Sequence, residues 1–112
     1  METIETIIQW HKETFPDTTL EEQEKKFIIE FDEYIEAIGE ERQIKELADM
    51  QIVACGIARF NRARSQILTN KVLKYAEKFK HNLDDLNEAI QEKMAINRKR
   101  KWHKVNGEYR HI

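Results

Sequence analysis

Only four residues in this chain of 112 break a helix readily, Pro16 and the glycines at 39, 56 and 107. A chain so poor in turn formers, and so rich in Glu, Lys, Ile and Leu, lacks the closely spaced turns of an all-β fold, whereas long helices need few breakers. The expected fold class is all-α, a bundle of four to five helices. The length suits one compact domain and is too short for two ordinary ones. That domain is expected over residues 1–104. Residues 105–112 show no hydrophobic period and contain Gly107, so they read as a loose C-terminal tail.

Apolar spacing divides the domain. Ile4, Ile7, Ile8, His11 and Phe15 recur at three to four residues and predict an amphipathic helix over about 2–13, broken by Phe15-Pro16-Asp17-Thr18. Thr19 stands three residues before Glu22, the spacing of a capping box, and opens a second helix. Its stripe runs Leu20, Phe27, Phe31, Tyr34 and Ile38, ending near Gly39. A third helix is expected from about Glu41 to about Ala63. Its run from Ile52 to Ala58 is apolar on every side, the pattern of a helix surrounded by others. Gly56 in mid-helix costs ~1 kcal/mol relative to Ala, so another helix is expected to approach closely there. Val72, Leu73, Tyr75 and Phe79 predict a shorter helix within about 65–82. A last helix follows from about Leu83, with Asn82 as its N-cap, to about Trp102.

The net charge of −2 conceals a segregation: Glu13 to Gln51 carries thirteen acids against four bases, and Glu92 to Ile112 seven bases against two acids. The two regions must attract different things. The basic run Arg98-Lys99-Arg100-Lys101, followed by Trp102, fits a nucleic-acid patch or equally the favourable end of a helix dipole. A single cysteine, Cys55, excludes an intrachain disulfide and a Cys-rich zinc site, and fits a reducing compartment. No apolar run approaches the ~20 residues of a membrane span, and the first residues lack a basic segment followed by an apolar one. A soluble, cytoplasmic protein is the expectation.

Two i, i+3 acid pairs stand out, Glu30 with Glu33 and Glu46 with Asp49, each on a stretch that reads as helix. Members of such a pair share a face and repel, and a divalent cation that favours carboxylates removes the conflict. In the third helix Glu46, Asp49, Val53, Ile57 and Phe60 form one stripe, so the acids should look inward. The last helix does the same with opposite charge: the seam Leu83, Leu86, Ile90 turns into Lys93, Asn97, Arg100. Burying such groups is costly unless they are paired or ligated, which suggests a lined cavity at one end of the bundle. Acids that hold Mg²⁺ and bases that hold an anion together suit a polyphosphate, with a nucleoside triphosphate the obvious candidate. No G-x-x-x-x-G-K-S/T loop is present, so a P-loop is excluded. The Glu-x-x-His pairs of a di-iron bundle are absent, and His11, His81, His103 and His111 lie at no metal-ligand spacing.

These residues resemble the all-α nucleotide pyrophosphohydrolases, the MazG-like group that includes the dimeric dUTPases and dCTPases. That group's motif is E-E-x-x-E, a spacer, then E-x-x-D. Ile29-Glu30-Phe31-Asp32-Glu33, twelve intervening residues and Glu46-Leu47-Ala48-Asp49 match it with one departure, Ile29 in place of the first Glu. Lys93, Asn97 and Arg100 are similar to its K-x-x-x-N-x-x-R element. Trp10-His11, Phe15-Pro16, the run Ala54 to Phe60 and the Lys93 to Trp102 ending resemble more narrowly the dATP/dGTP pyrophosphohydrolases, often virus-encoded.

The resemblance implies the reaction (d)NTP + H₂O → (d)NMP + pyrophosphate, with host cytoplasm as the location if the chain is virus-encoded. It implies Mg²⁺, or Mn²⁺, held by Glu30, Glu33, Glu46 and Asp49, and a triphosphate held by Lys93, Asn97 and Arg100. Ile29 replaces the Glu that family members use to orient or activate water, which leaves three explanations: Glu30 or Glu33 does both jobs, metal-bound water needs no separate base, or the enzyme is impaired, the second being preferred. Trp10, Phe15 and His11 are candidates for stacking on and bonding to a purine, although aromatic residues on an amphipathic helix are more often core. Lys26 either adds a phosphate contact or pairs with Glu30, the second being preferred. A homo-oligomer, dimer or tetramer, is expected. The alternative is a non-catalytic helical module that binds nucleotides or, through the basic C-terminal segment, nucleic acid.

Overall fold

The computed structural model describes residues 1–111. Five helices follow in order, α1 Ile4–Thr14, α2 Leu20–Glu36, α3 Glu40–Ile57, α4 Arg62–Lys78 and α5 Leu83–Lys99, and a hairpin closes the chain, β1 Trp102–Val105 and β2 Glu108–His111. The fold is thus mostly helical, as expected, with one small antiparallel sheet. Helix α3 is the axis, and α1, α2, α4 and α5 all pack against it. Leu47, Ala48, Met50, Ala54 and Ile57 along α3 are completely buried, which is what a helix apolar all round requires.

Side-chain caps set most helix starts. Thr19 accepts from the Glu22 amide and Asn82 from the Asp85 amide, both at expected sites. Asn61 accepts from the Arg64 amide and corrects the expected boundary of the third helix: α3 ends at Ile57, and Phe60 lies in a turn before α4, half-exposed. The hydrophobic run continued past the true end because no Gly or Pro marks it. Helix α4, expected to be short, has 17 residues, as many as α2 and α5. Leu83, placed in the inward seam, is exposed at the start of α5.

Gly56 has the close neighbour its position implied. A Cβ there would overlap the ring of His11, which α1 lays against the α3 backbone. The C-terminal segment is the larger correction. Instead of a loose tail after 104, residues 102–111 form a paired hairpin in the register Trp102 with His111 and Lys104 with Tyr109, while Ile112 lies outside the described residues. Asn106 and Gly107 both take positive φ, 51° and 83°, as a two-residue type I′ turn demands. Trp102 and Tyr109 point inward onto Phe15, with ring centroids 5.1 and 4.8 Å away.

Candidate metal centre

The two acid pairs lie on the faces by which α2 and α3 meet. One carboxylate oxygen from each of Glu30, Glu33 and Glu46 lies within 4.8 Å of the others. Asp49, one turn on from Glu46, is not among the three that converge and pairs with Lys93, but it lies near enough for its charge to help raise the pKa of both Glu30 and Glu46. Two cations reach the cluster: Lys26 Nζ lies 3.2 Å from Glu30 Oε1, and Lys93 Nζ of α5 lies 3.2 Å from Asp49 Oδ2. Lys26 therefore pairs with Glu30.

That pairing leaves the cluster unsatisfied. Glu30 Oε2 and Glu46 Oε2 are both buried without a hydrogen-bond partner. A carboxylate oxygen held away from water and unpartnered is costly, and four acids against two lysines leave net negative charge. Protonation responds to the conflict. Burial pushes the Glu30 carboxyl up to about 7, with Lys26 opposing and the Asp49 and Glu33 charges adding to the rise. Glu46 is raised by burial and then by Asp49 and Glu33. Asp49 is raised by burial despite the Lys93 ammonium beside it. The donor set is entirely carboxylate oxygen, the ligand chemistry of Mg²⁺ or Mn²⁺ and unlike that of zinc, so the residues fit such an ion.

The basic stripe continues from the cluster along α5. Lys93 touches Asp49, Asn97 is buried and Arg100 is half-buried at the helix end, ~10 Å from Lys93 along the axis. Part of the remaining basic surface is engaged within the molecule: Arg98 pairs with Glu2, and Lys104 with Asp17 and Glu22. Ile29 is half-exposed on the flank of α2. A groove of about 570 Å³ between α2 and α4 is lined by Phe27, Ile28, Phe31, Lys71 and Lys74 among others, and none of the four acids lines it.

The aromatic candidates for a base site are core residues instead. Trp10 and Phe15 are each 7% exposed and His11 is 2% exposed. Their rings meet one another edge-on and are covered by Trp102 and Tyr109 of the hairpin. Arg59 Nη1 donates to the His11 and Phe15 carbonyls and lies 3.0 Å from His11 Nδ1. Because arginine only donates, Nδ1 accepts and the ring is neutral. Burial brings the His11 pKa down to about 4, and the Arg59 charge acts in the same direction. No face of these rings is free to stack on a purine, since the segment read as a loose tail covers them.

Sequence reasoning missed a second polar group beside the acids, the chain Tyr34, His81 and Glu40. Its members are 47 and 41 residues apart and no local pattern joins them. The chain as a whole matches no family model, no curated protein and no solved structure. No helix among the described residues is long and apolar enough to cross a membrane.

Proposed function

We propose that this protein is a Mg²⁺-dependent nucleoside triphosphate pyrophosphohydrolase of the MazG-like type, converting (d)NTP and water to (d)NMP and pyrophosphate, with dATP or dGTP as substrate. The observation that carries the reading is the meeting of Glu30, Glu33 and Glu46 within 4.8 Å, two of them with a buried oxygen that has no hydrogen-bond partner among the described residues. Glu30, Glu33, Glu46 and Asp49 would hold Mg²⁺ or Mn²⁺, and a cation so held supplies Lewis acidity toward phosphate oxygens and acidifies water.

The protein's own groups have definable tasks. Glu30, raised to about 7 by burial, shares a proton with water near neutral pH and would give it up when a cation binds. Lys93 pairs with Asp49 until a more highly charged anion draws it away, so it can pass from carboxylate to phosphate by a side-chain rotation. Asn97 and Arg100 extend that anion-binding line along α5 and stabilise charge that develops on the departing pyrophosphate. The described residues offer no side-chain base at position 29, so water activation depends on the cation site. A homo-oligomer is part of this reading, supported by Ile28, Ile29 and Ile35 of α2 and Ile38 of the loop after it, which are exposed at 59, 46, 57 and 88%. A second copy of the chain would cover them.

Incubation with each dNTP and Mg²⁺, followed by separation of products, tests the reading. Monophosphate and pyrophosphate in equal amounts are expected. Inert dNTPs, combined with oligonucleotide binding that falls steeply with salt, would instead favour the non-catalytic alternative.

A further inference from the structure

His81 occupies a place that a loop residue rarely has. Its side chain is completely shielded from solvent, and both ring nitrogens are used. Nδ1 lies 2.8 Å from Glu40 Oε1 and Nε2 lies 2.9 Å from the Tyr34 hydroxyl. An ionised carboxylate only accepts, so Nδ1 carries the proton and Nε2 accepts from Tyr34. Tyr34 belongs to α2, next to Glu33 and one turn after Glu30, and Glu40 opens α3 one and a half turns before Glu46. One imidazole therefore ties together the two helices that carry the four acids.

The turn that delivers His81 is built for the purpose at a conformational cost. After α4, the His81 amide donates to the Ala76 carbonyl at 2.8 Å and the Lys80 amide to Glu77 at 3.1 Å, the paired bonds of a Schellman motif. The left-handed position of that motif is normally glycine, yet here Lys80 takes it at φ 57°. Tyr34, Phe79 and His81 then pack ring to ring, with centroids 5.9–6.5 Å apart.

We infer that His81 is a positioning residue for the acid cluster: by bonding Tyr34 and Glu40 at once it sets the separation of α2 and α3, and so the spacing at which Glu30, Glu33, Glu46 and Asp49 meet a cation. This role rests on the cation reading of the cluster. Tyr34 and Glu40 would touch neither cation nor substrate and act only through the helices they hold.

The test is the affinity for Mn²⁺, read by electron paramagnetic resonance well below the unfolding temperature, with helicity checked by circular dichroism. Tyr34→Phe removes one hydroxyl from a ring that stays packed, and Glu40→Ala removes the other bond. Each should weaken Mn²⁺ binding on the order of 10-fold, as loss of a supporting contact around metal ligands does. The double variant should be little worse than either single one, because both act through one imidazole. Glu40→Gln keeps an acceptor for Nδ1–H and should restore most of the affinity. Glu41→Ala removes an acid from the same first turn, paired only to Lys45, and should leave affinity unchanged. Tyr34→Phe and Glu40→Ala proteins that melt earlier yet bind Mn²⁺ as tightly as the parent would overturn the role. A parent protein that binds no Mn²⁺ would instead remove the cation site itself, and this role with it.

Discussion

Two polar clusters draw residues from both α2 and α3, and they differ in how far their polar groups are satisfied. In the Tyr34–His81–Glu40 chain each inward donor has its acceptor, and the group behaves as architecture. In the acid cluster like charges face one another, two buried oxygens have no partner and pKa values are driven upward. Each has a buried centre and an exposed member, Glu40 in the first and Glu33 in the second. A satisfied network rigidifies a fold, whereas one in which acids outnumber their lysine partners and buried oxygens stay unpaired is under electrostatic strain, which a bound cation would relieve under the proposed function.

Removing ligands from the incomplete cluster should have the largest effect. Glu33→Gln and Asp49→Asn should each lower pyrophosphate release by ~100-fold or more while circular dichroism stays that of the parent. Activity that survives both changes would dissolve the contrast, since the acids would then be surface charge like any other.

Next in size is a dependence of stability on pH and cation. Glu30 titrates near 7 in the folded protein against an ordinary value of 4.5, so the folded state binds more protons between those values. Its contribution is fully present below pH 4.5 and is lost as pH rises through about 7, on the order of 3 kcal/mol before solvent screening reduces it. His11 runs the opposite way. Its pKa is depressed to about 4, so its contribution is present above the unfolded value of 6.5 and is lost as pH falls through about 4. The diagnostic is therefore the difference between melts in Mg²⁺ and in EDTA, which should widen from pH 5 to pH 8. A difference that is the same at both would contradict the assignment of the raised acids to the cation site.

Gly56→Ala probes the aromatic side of the molecule, where His11 Nε2 is also buried without a partner but no acids converge. The added methyl meets the His11 ring, which the Trp10, Phe15 and Arg59 packing holds in place, so a loss of about 1–3 kcal/mol is expected from thermal melts. Mn²⁺ affinity should be unchanged. The smallest effect is reserved for Ile29→Glu. If the cation site alone activates water, an acid introduced at position 29 should change turnover less than about 2-fold, whereas a gain of ~100-fold, within the range of general-base catalysis, would show that the natural chain lacks a base.

What the sequence made legible were features of short range. The two i, i+3 acid pairs, the Lys93 to Arg100 stripe and the caps at Thr19 and Asn82 each lie within one helix or at its edge, where a period of 3.6 suffices to orient side chains. Features that needed two elements were hidden. The end of α3 depended on Asn61 capping the next helix. Trp10, His11 and Phe15 could be read as core or as a base site because their cover, the 102–111 hairpin, lacks clear alternation, although Asn106-Gly107 was the signal for its turn. His81 could not be joined to Tyr34 and Glu40 until the α4–α5 turn was folded.

Crystals of the protein soaked in Mn²⁺ and measured for anomalous scattering test the central contrast most directly. A peak bounded by Glu30, Glu33, Glu46 and Asp49, with none at Tyr34, His81 and Glu40, is the expected result. No peak, with the four carboxylates turned outward to water, would contradict it.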